Sequence, residues 1–244
     1  MKKLISICLL LLPTMAFANT GGVHLDHADV DLADKPSLQR GAKIFVNYCL
    51  SCHSASFARF SGVAKDLDIP EDVMSKNMLF VSDKIGSNMD IAMKAEDAEK
   101  WLGKNPPDLS VIARSRGADW IYTFLNSYYL DPSRSTGVNN RVFDKTAMPH
   151  VLWELQGWQK LAYTEEHHGE ENKKVITGLK LVSPGKMNEE SYRQVTHDLT
   201  NFLTYLGEPA LMVRKKVGFW VILFLLILLI PAYKLKKEYW KDVK

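Results

Sequence analysis

Cys49, Leu50, Ser51, Cys52 and His53 stand consecutively in this chain, and Cys-x-x-Cys-His is the attachment signature of a c-type haem. Each thiol can add across one haem vinyl group, which makes the cofactor covalent. The histidine that follows is then held against the iron as proximal axial ligand. Two intervening residues match the separation of the vinyls when the segment coils as a helical turn. Other uses of the cysteines fit less well. A thioredoxin-like pair belongs at a helix start after a strand, and no such pattern precedes it. A zinc site needs a second pair of ligands, and the only other cysteine is Cys8.

An electron-transfer haem also needs a sixth ligand, so that the iron keeps its coordination in both valences. A methionine thioether raises the potential and a second histidine lowers it. Met74, Met78, Met89 and Met93 lie at helix-like spacings and read as core filler. Met212 abuts an apolar stretch. Met148 differs, because Pro149 biases it towards an extended conformation in which a loop presents a side chain in fixed geometry. His150 is its rival and His197 a poorer one, so at this level the distal ligand stays open.

The compartment follows from the two ends of the chain. Lys2 and Lys3, the apolar run Leu4 to Leu12 and Ala16-Phe17-Ala18 form a signal peptide over residues 1–18. Cys8 leaves with it, so both cysteines of the mature chain belong to the haem motif. Val217 to Tyr233 is uncharged and almost wholly apolar, a transmembrane anchor expected over residues 214–236. Trp220, Tyr233, Tyr239 and Trp240 suit the two interfaces. Basic residues flank both ends, more heavily after the anchor, which places residues 237–244 in the cytoplasm. The exported domain, residues 19–213, then faces the periplasm. The whole chain has a formal charge of +3, but residues 19–213 hold 21 Lys and Arg against 26 Asp and Glu, a net −5. That balance disfavours nucleic acid and favours a cationic partner, steered over long range.

Within the exported domain the periodicity predicts a helix over Ser37 to Cys49, with Leu38, Ala42, Phe45 and Cys49 on one face and Ser37 as N-cap. This helix delivers the haem motif. A second is expected over Glu189 to Leu206, capped by Asn188 and stopped by Gly207 and Pro209. Asp119 to Tyr129 is a third. Asp131 to Lys145 and Tyr163 to Gly185 read as long polar loops, and no alternation is sustained enough for a sheet of any size.

Four blocks of sequence carry a resemblance. They are Gly41-Ala42-Lys43-Ile44-Phe45-Val46-Asn47-Tyr48 running into the haem motif, Asn105-Pro106-Pro107-Asp108-Leu109-Ser110, Ala147-Met148-Pro149-His150-Val151-Leu152-Trp153-Glu154-Leu155-Gln156-Gly157, and Asn201 to Pro209 followed by the anchor. In this order, over nearly the whole mature chain, they resemble the cytochrome c1 family. The resemblance implies a mainly α fold: a class I cytochrome c-like domain with enlarged loops, plus one C-terminal transmembrane helix. It implies a haem c subunit of the ubiquinol–cytochrome c reductase complex in the bacterial inner membrane. Such a subunit takes an electron from the Rieske iron–sulfur protein and passes it to a soluble c-type cytochrome, with cytochrome b as its membrane partner. It further implies Met148 as sixth ligand, the Pro107 block beside the haem, and a propionate-binding arginine, by position Arg114 with Arg116 as neighbour. A free-standing anchored electron carrier, or a haem sensor or enzyme with an open iron position, are the other readings. The Glu165 to Glu171 segment is not explained by the family blocks and reads as a solvated loop or an acidic docking patch.

Overall fold

In the computed structural model, residues 23–242 are described, apart from 92, 169 and 170. The signal-peptide reading of residues 1–18, Cys8 included, therefore lies outside the described residues. The first helix, α1 (Lys35–Ile44), starts two residues before the expected position. Its N-cap is Asp34, whose carboxylate accepts from the Ser37 backbone N–H at 3.0 Å, while Pro36 occupies the first turn, where a missing N–H costs nothing. The Ser37 hydroxyl instead turns inward.

The expected helix does reach Cys49, but its last turn is not α-helical. Phe45–Cys49 widens into a π-helical turn that buries Phe45, Val46 and Cys49. The Leu50 N–H closes this turn on the Phe45 carbonyl at 2.9 Å. Wide turns of this kind are rare and concentrate at functional sites. Here the turn ends on the first cysteine of the motif.

The last soluble helix, α8 (Glu189–Gly207), is capped by Asn188, whose side chain accepts from the Ser191 N–H at 2.8 Å. It crosses α1 at very close range. A β-carbon on Gly41 would lie 2.0 Å from the Asp198 carbonyl oxygen and 2.7 Å from Cβ of Phe202, so only glycine fits there. Beside the crossing, the Asp198 carboxylate accepts from Ser37 Oγ (2.7 Å), from Arg40 Nε (2.6 Å) and Nη2 (2.9 Å), and from Gln194 (2.9 Å). Burial alone would raise the pKa of this carboxyl, but the Arg40, Ser37 and Gln194 hydrogen bonds together hold it below the usual carboxylate value.

Between these two helices the chain runs through β1 (Ala55–Arg59), α2 (Phe60–Asp66), α3 (Glu71–Asn77), β2 (Asn88–Met89), α4 (Ala95–Leu102), α5 (Ile112–Arg116) and α6 (Ala118–Asn126). Met74, Met78 and Met89 are buried core residues. The third expected helix is α6, which stops before Tyr129. Asn126 folds its amide back onto the Tyr122 carbonyl at 2.8 Å and onto Thr196 Oγ1 at 3.0 Å, and Tyr128–Leu130 continues as strand β3. Its antiparallel partner, β4 (Val138–Asn140), lies inside the segment expected to be loop.

The larger departure from expectation follows α7 (Trp153–Gln156). Residues expected to be a second long loop form an antiparallel hairpin of β5 (Gly157–His168) and β6 (Glu171–Pro184). Register shifts at Trp158/Gln159 and Ala162/Tyr163 break the side-chain alternation, which is why no strand pattern shows in the sequence. The hairpin joins the domain through a narrow neck. A β-carbon on Gly157 would lie 2.1 Å from the Ser183 oxygen, and one on Gly185 2.4 Å from the Leu155 oxygen. Finally α9 (Leu211–Tyr239) runs as one exposed helix of 29 residues. It is about 44 Å long, enough to cross a hydrocarbon core of about 30 Å, and is the one helix among the described residues long and apolar enough to do so.

Candidate haem site

After the π-helical turn the backbone tightens. The N–H groups of Cys52 and His53 both donate to the Cys49 carbonyl, at 3.0 and 2.8 Å. This compact turn brings Cys49, Cys52 and His53 to one wall of a cavity of about 390 Å³. The two cysteines are not joined to each other by a disulfide. Before any haem is attached, burial, reinforced by the nearby Cys52 sulfur, pushes the Cys49 thiol up to about 12.

His53 Nδ1 lies 2.8 Å from the Pro107 carbonyl oxygen. A carbonyl only accepts, so Nδ1 carries the proton and Nε2 keeps its lone pair. Burial lowers the pKa of the ring, against the opposing influence of the Pro107 carbonyl and the Asp108 charge, which favours the neutral imidazole that a metal requires. The Pro107 segment is itself laced to the residues after the motif. The Leu109 N–H donates to the Ser54 carbonyl at 2.8 Å, and the Asp108 carboxylate accepts from the backbone N–H groups of Ser56 (2.9 Å) and Ser110 (2.7 Å). The role of Asp108 is not visible in the sequence, although the block that contains it is.

Met148 lines the same cavity together with Thr146, Ala147 and Pro149. Its backbone is fixed on both sides: its N–H donates to Thr146 Oγ1 at 3.3 Å, and its carbonyl accepts from the Tyr128 hydroxyl at 3.3 Å. The rest of the lining is mostly apolar and includes Leu109, Ile121, Phe124, Leu125 and Leu203. A cavity with a thiol pair and an imidazole on its lining, a thioether from a separate loop, and apolar walls between them suits a covalently held haem. His150 is not part of this lining. It is buried, stacked on Tyr128 (4.7 Å between centroids, 6° between planes) and edge-on to Trp158 at 6.0 Å, and burial drives its pKa down to about 4. His197 faces the N-terminal segment, with Nε2 3.2 Å from the Asp29 carbonyl.

The two arginines also separate. Arg116 lines the cavity, its guanidinium 5.1 Å from the Trp120 ring centroid and 5.8 Å from that of Phe143. Arg114 lies elsewhere on α5, its stem against Gly207 at the end of α8. Two residues apart on a helix, their side chains leave on different faces. Glu165 to His168 end β5 and pair with Lys174 to Glu171 at the start of β6, while residues 169 and 170 of the acidic segment lie outside the described residues.

Comparison with known proteins agrees with this geometry. The chain is 49% identical over 244 residues, the whole of both chains, to the cytochrome c1 of Allochromatium vinosum. It is 46% identical to a protein of Nitrosomonas europaea named ammonia monooxygenase gamma subunit, over all of this chain and 99% of the relative. The cytochrome c1 of Blastochloris viridis is 25% identical over 86% of this chain and 82% of its own. The model of the Cytochrome C1 family matches residues 27–243, and with both the motif and its cavity in place, the chain belongs to that family.

Proposed function

We propose that this chain passes single electrons from a Rieske iron–sulfur protein to a soluble c-type cytochrome, as the haem c subunit of a ubiquinol–cytochrome c reductase complex. Family members are the haem-carrying subunit of that complex, and this chain shares their covalent haem c and their electron-transfer role. The observation that carries the residue-level reading is the convergence of His53 and Met148 on one cavity, with His53 Nδ1 committed to Pro107 and Nε2 left free.

When bound, a haem c supplies a one-electron iron couple, and the chain's residues decide how it is held. Cys49 and Cys52 would hold it through two thioethers, and His53 and Met148 would hold its iron, an imidazole–thioether pairing that favours a high potential. Pro107 fixes the plane and tautomer of His53, a constraint that also makes the ring a stronger donor. Arg116, held against two aromatic rings in the cavity wall, is the cation placed to balance a propionate, a role the structure supports less for Arg114. The apolar lining keeps water away and so reduces the reorganisation that accompanies each electron.

In this reading residues 1–18 are removed on export, residues 19–213 form the periplasmic haem domain, residues 214–236 anchor it beside cytochrome b, and residues 237–244 face the cytoplasm. Quinol chemistry then belongs to cytochrome b. The test is purification through this chain in mild detergent, with haem spectra and identification of the subunits that accompany it. Recovery of b-type haem and an iron–sulfur protein is the expected result, and a haem c protein alone would leave a free-standing carrier. Recovery with a monooxygenase would instead follow the name of the Nitrosomonas relative.

A further inference from the structure

We propose that the haem domain is seated on the surface of an anionic bilayer through a ledge made of Phe57, Arg59, Val111 and Arg114, next to the root of the membrane helix. Phe57 is 81% exposed, the most exposed large apolar side chain described. It lies on β1, in which Phe57 and Arg59 are both exposed while Ala55, across a register shift, is buried. The Phe57 backbone N–H donates to Ser110 Oγ at 3.1 Å, which sets this strand beside Val111, itself 43% exposed.

The ledge is continuous with the membrane anchor. Val111 leads into α5, and the stem of Arg114 on that helix lies 3.3 Å from the position a β-carbon would take on Gly207. Gly207 ends α8, and α9 begins at Leu211. Arg114 thus lies beside the end of α8 that leads into α9, and Val111 and Phe57 adjoin it along α5 and β1.

Charge at this end fits an anionic surface, although the exported domain as a whole is acidic. The nearby carboxylates are each engaged: Asp108 accepts from the Ser56 and Ser110 backbone N–H groups at 2.9 and 2.7 Å, Asp66 accepts from the Tyr205 hydroxyl at 2.7 Å, Asp68 pairs with Lys35, and Glu208 pairs with Arg214 at 2.6 Å. Among the described residues no carboxylate pairs with Arg59, Arg114, Lys215 or Lys216, all exposed. An apolar tip flanked by cations is the composition that inserts shallowly among anionic headgroups.

The seat is tested by hydroxyl-radical oxidation of the full-length haem protein in nanodiscs, with Phe80 as an internal reference because it is 62% exposed. If the domain stood clear of the lipid, Phe57 would be oxidised at least as heavily as Phe80. The seated domain gives a Phe57-to-Phe80 ratio lowered about threefold or more in phosphatidylcholine–phosphatidylglycerol discs, with weaker protection in phosphatidylcholine alone or after Arg114→Glu. An undiminished ratio in the mixed discs overturns the proposal. So does protection that arises only when the partner subunits are present, since the ledge would then face protein. This outcome is independent of which electron donor and acceptor the chain serves.

Discussion

Gly41→Ala sets two effects of opposite sign against each other at the α1–α8 crossing. In an open helix the change gains about 1 kcal/mol, because alanine loses less backbone entropy than glycine. Here the new methyl group would sit 2.0 Å from the Asp198 carbonyl oxygen and 2.8 Å from its carbon, backbone atoms that cannot rotate away. An ordinary contact of about 3.5 Å requires the helices to part by roughly 1.5 Å. That displacement acts on the neighbouring hydrogen bonds from Ser37 and Arg40 to Asp198, which measure 2.7 and 2.6 Å, and on the Phe45–Phe202 contact at 5.6 Å. Overpacking of a tight core costs about 1–3 kcal/mol, and loosening a buried carboxylate from its partners adds to that. The net effect expected is a loss of about 2 kcal/mol or more, after the propensity gain is set against it. Denaturant unfolding of the haem-loaded protein in mild detergent measures it. An unchanged or increased stability would refute the reading of this crossing as closed to any side chain.

Four further outcomes follow from the site. Met148→Leu should open the distal position, so that the reduced protein binds carbon monoxide readily and its midpoint potential falls; unchanged spectra would remove Met148 as ligand. Arg116→Gln should shift the haem potential, whereas Arg114→Gln should leave it in place, because only Arg116 lines the cavity; redox titration of both separates them. Asp108→Ala removes the acceptor for the Ser56 and Ser110 N–H groups, costs about 0.5–1.5 kcal/mol at this exposed site, and should loosen the Pro107 carbonyl that holds His53, visible as a mixed haem coordination. Asp198 has a folded pKa below its unfolded one, so its stabilisation is fully present above the unfolded value of about 3.9 and is lost as pH falls through the folded value. Asp198→Asn should remove that part of the acid dependence in unfolding measured from pH 7 to 3.

The chemistry-bearing residues were legible because each is constrained by its sequence neighbours. Spacing alone marks Cys49, Cys52 and His53; a following proline favours Met148 but leaves His150 open, and the structure puts the first four, not His150, on one cavity. α8 was legible from end to end, since Asn188 supplies a cap and one apolar stripe persists to its terminus. The features missed depend on contacts distant in sequence. Ser37 looks like a cap but serves Asp198, 161 residues away, while the true cap, Asp34, is a residue type equally at home in any loop. The π-helical turn has no composition of its own. The β5–β6 hairpin hides because each register shift moves the following side chains to the opposite face, so that neither strand alternates for long. His150 stands two residues from Met148 and is a good iron ligand by type, yet the ring of Tyr128 holds it in a separate stack.

The glycine neck at Gly157 and Gly185 has a consequence for how this chain can change over time. The Lys186 and Met187 N–H groups bond to the carbonyls of Glu154 and Leu155 at 2.8 and 3.0 Å, so the chain leaves the domain and returns almost to the point of departure. Whatever lies between closes a loop whose ends are already joined, and lengthening such a loop adds little entropic cost. At the base of the hairpin Trp158 packs on His150 and Gln159 donates to the Asn126 and Tyr128 carbonyls, so it is the outer part of the hairpin, beyond these residues, that can be exchanged, extended or trimmed while the haem cavity keeps its walls. It is the place in the fold where lineages are free to diverge, and where a foreign segment can be grafted.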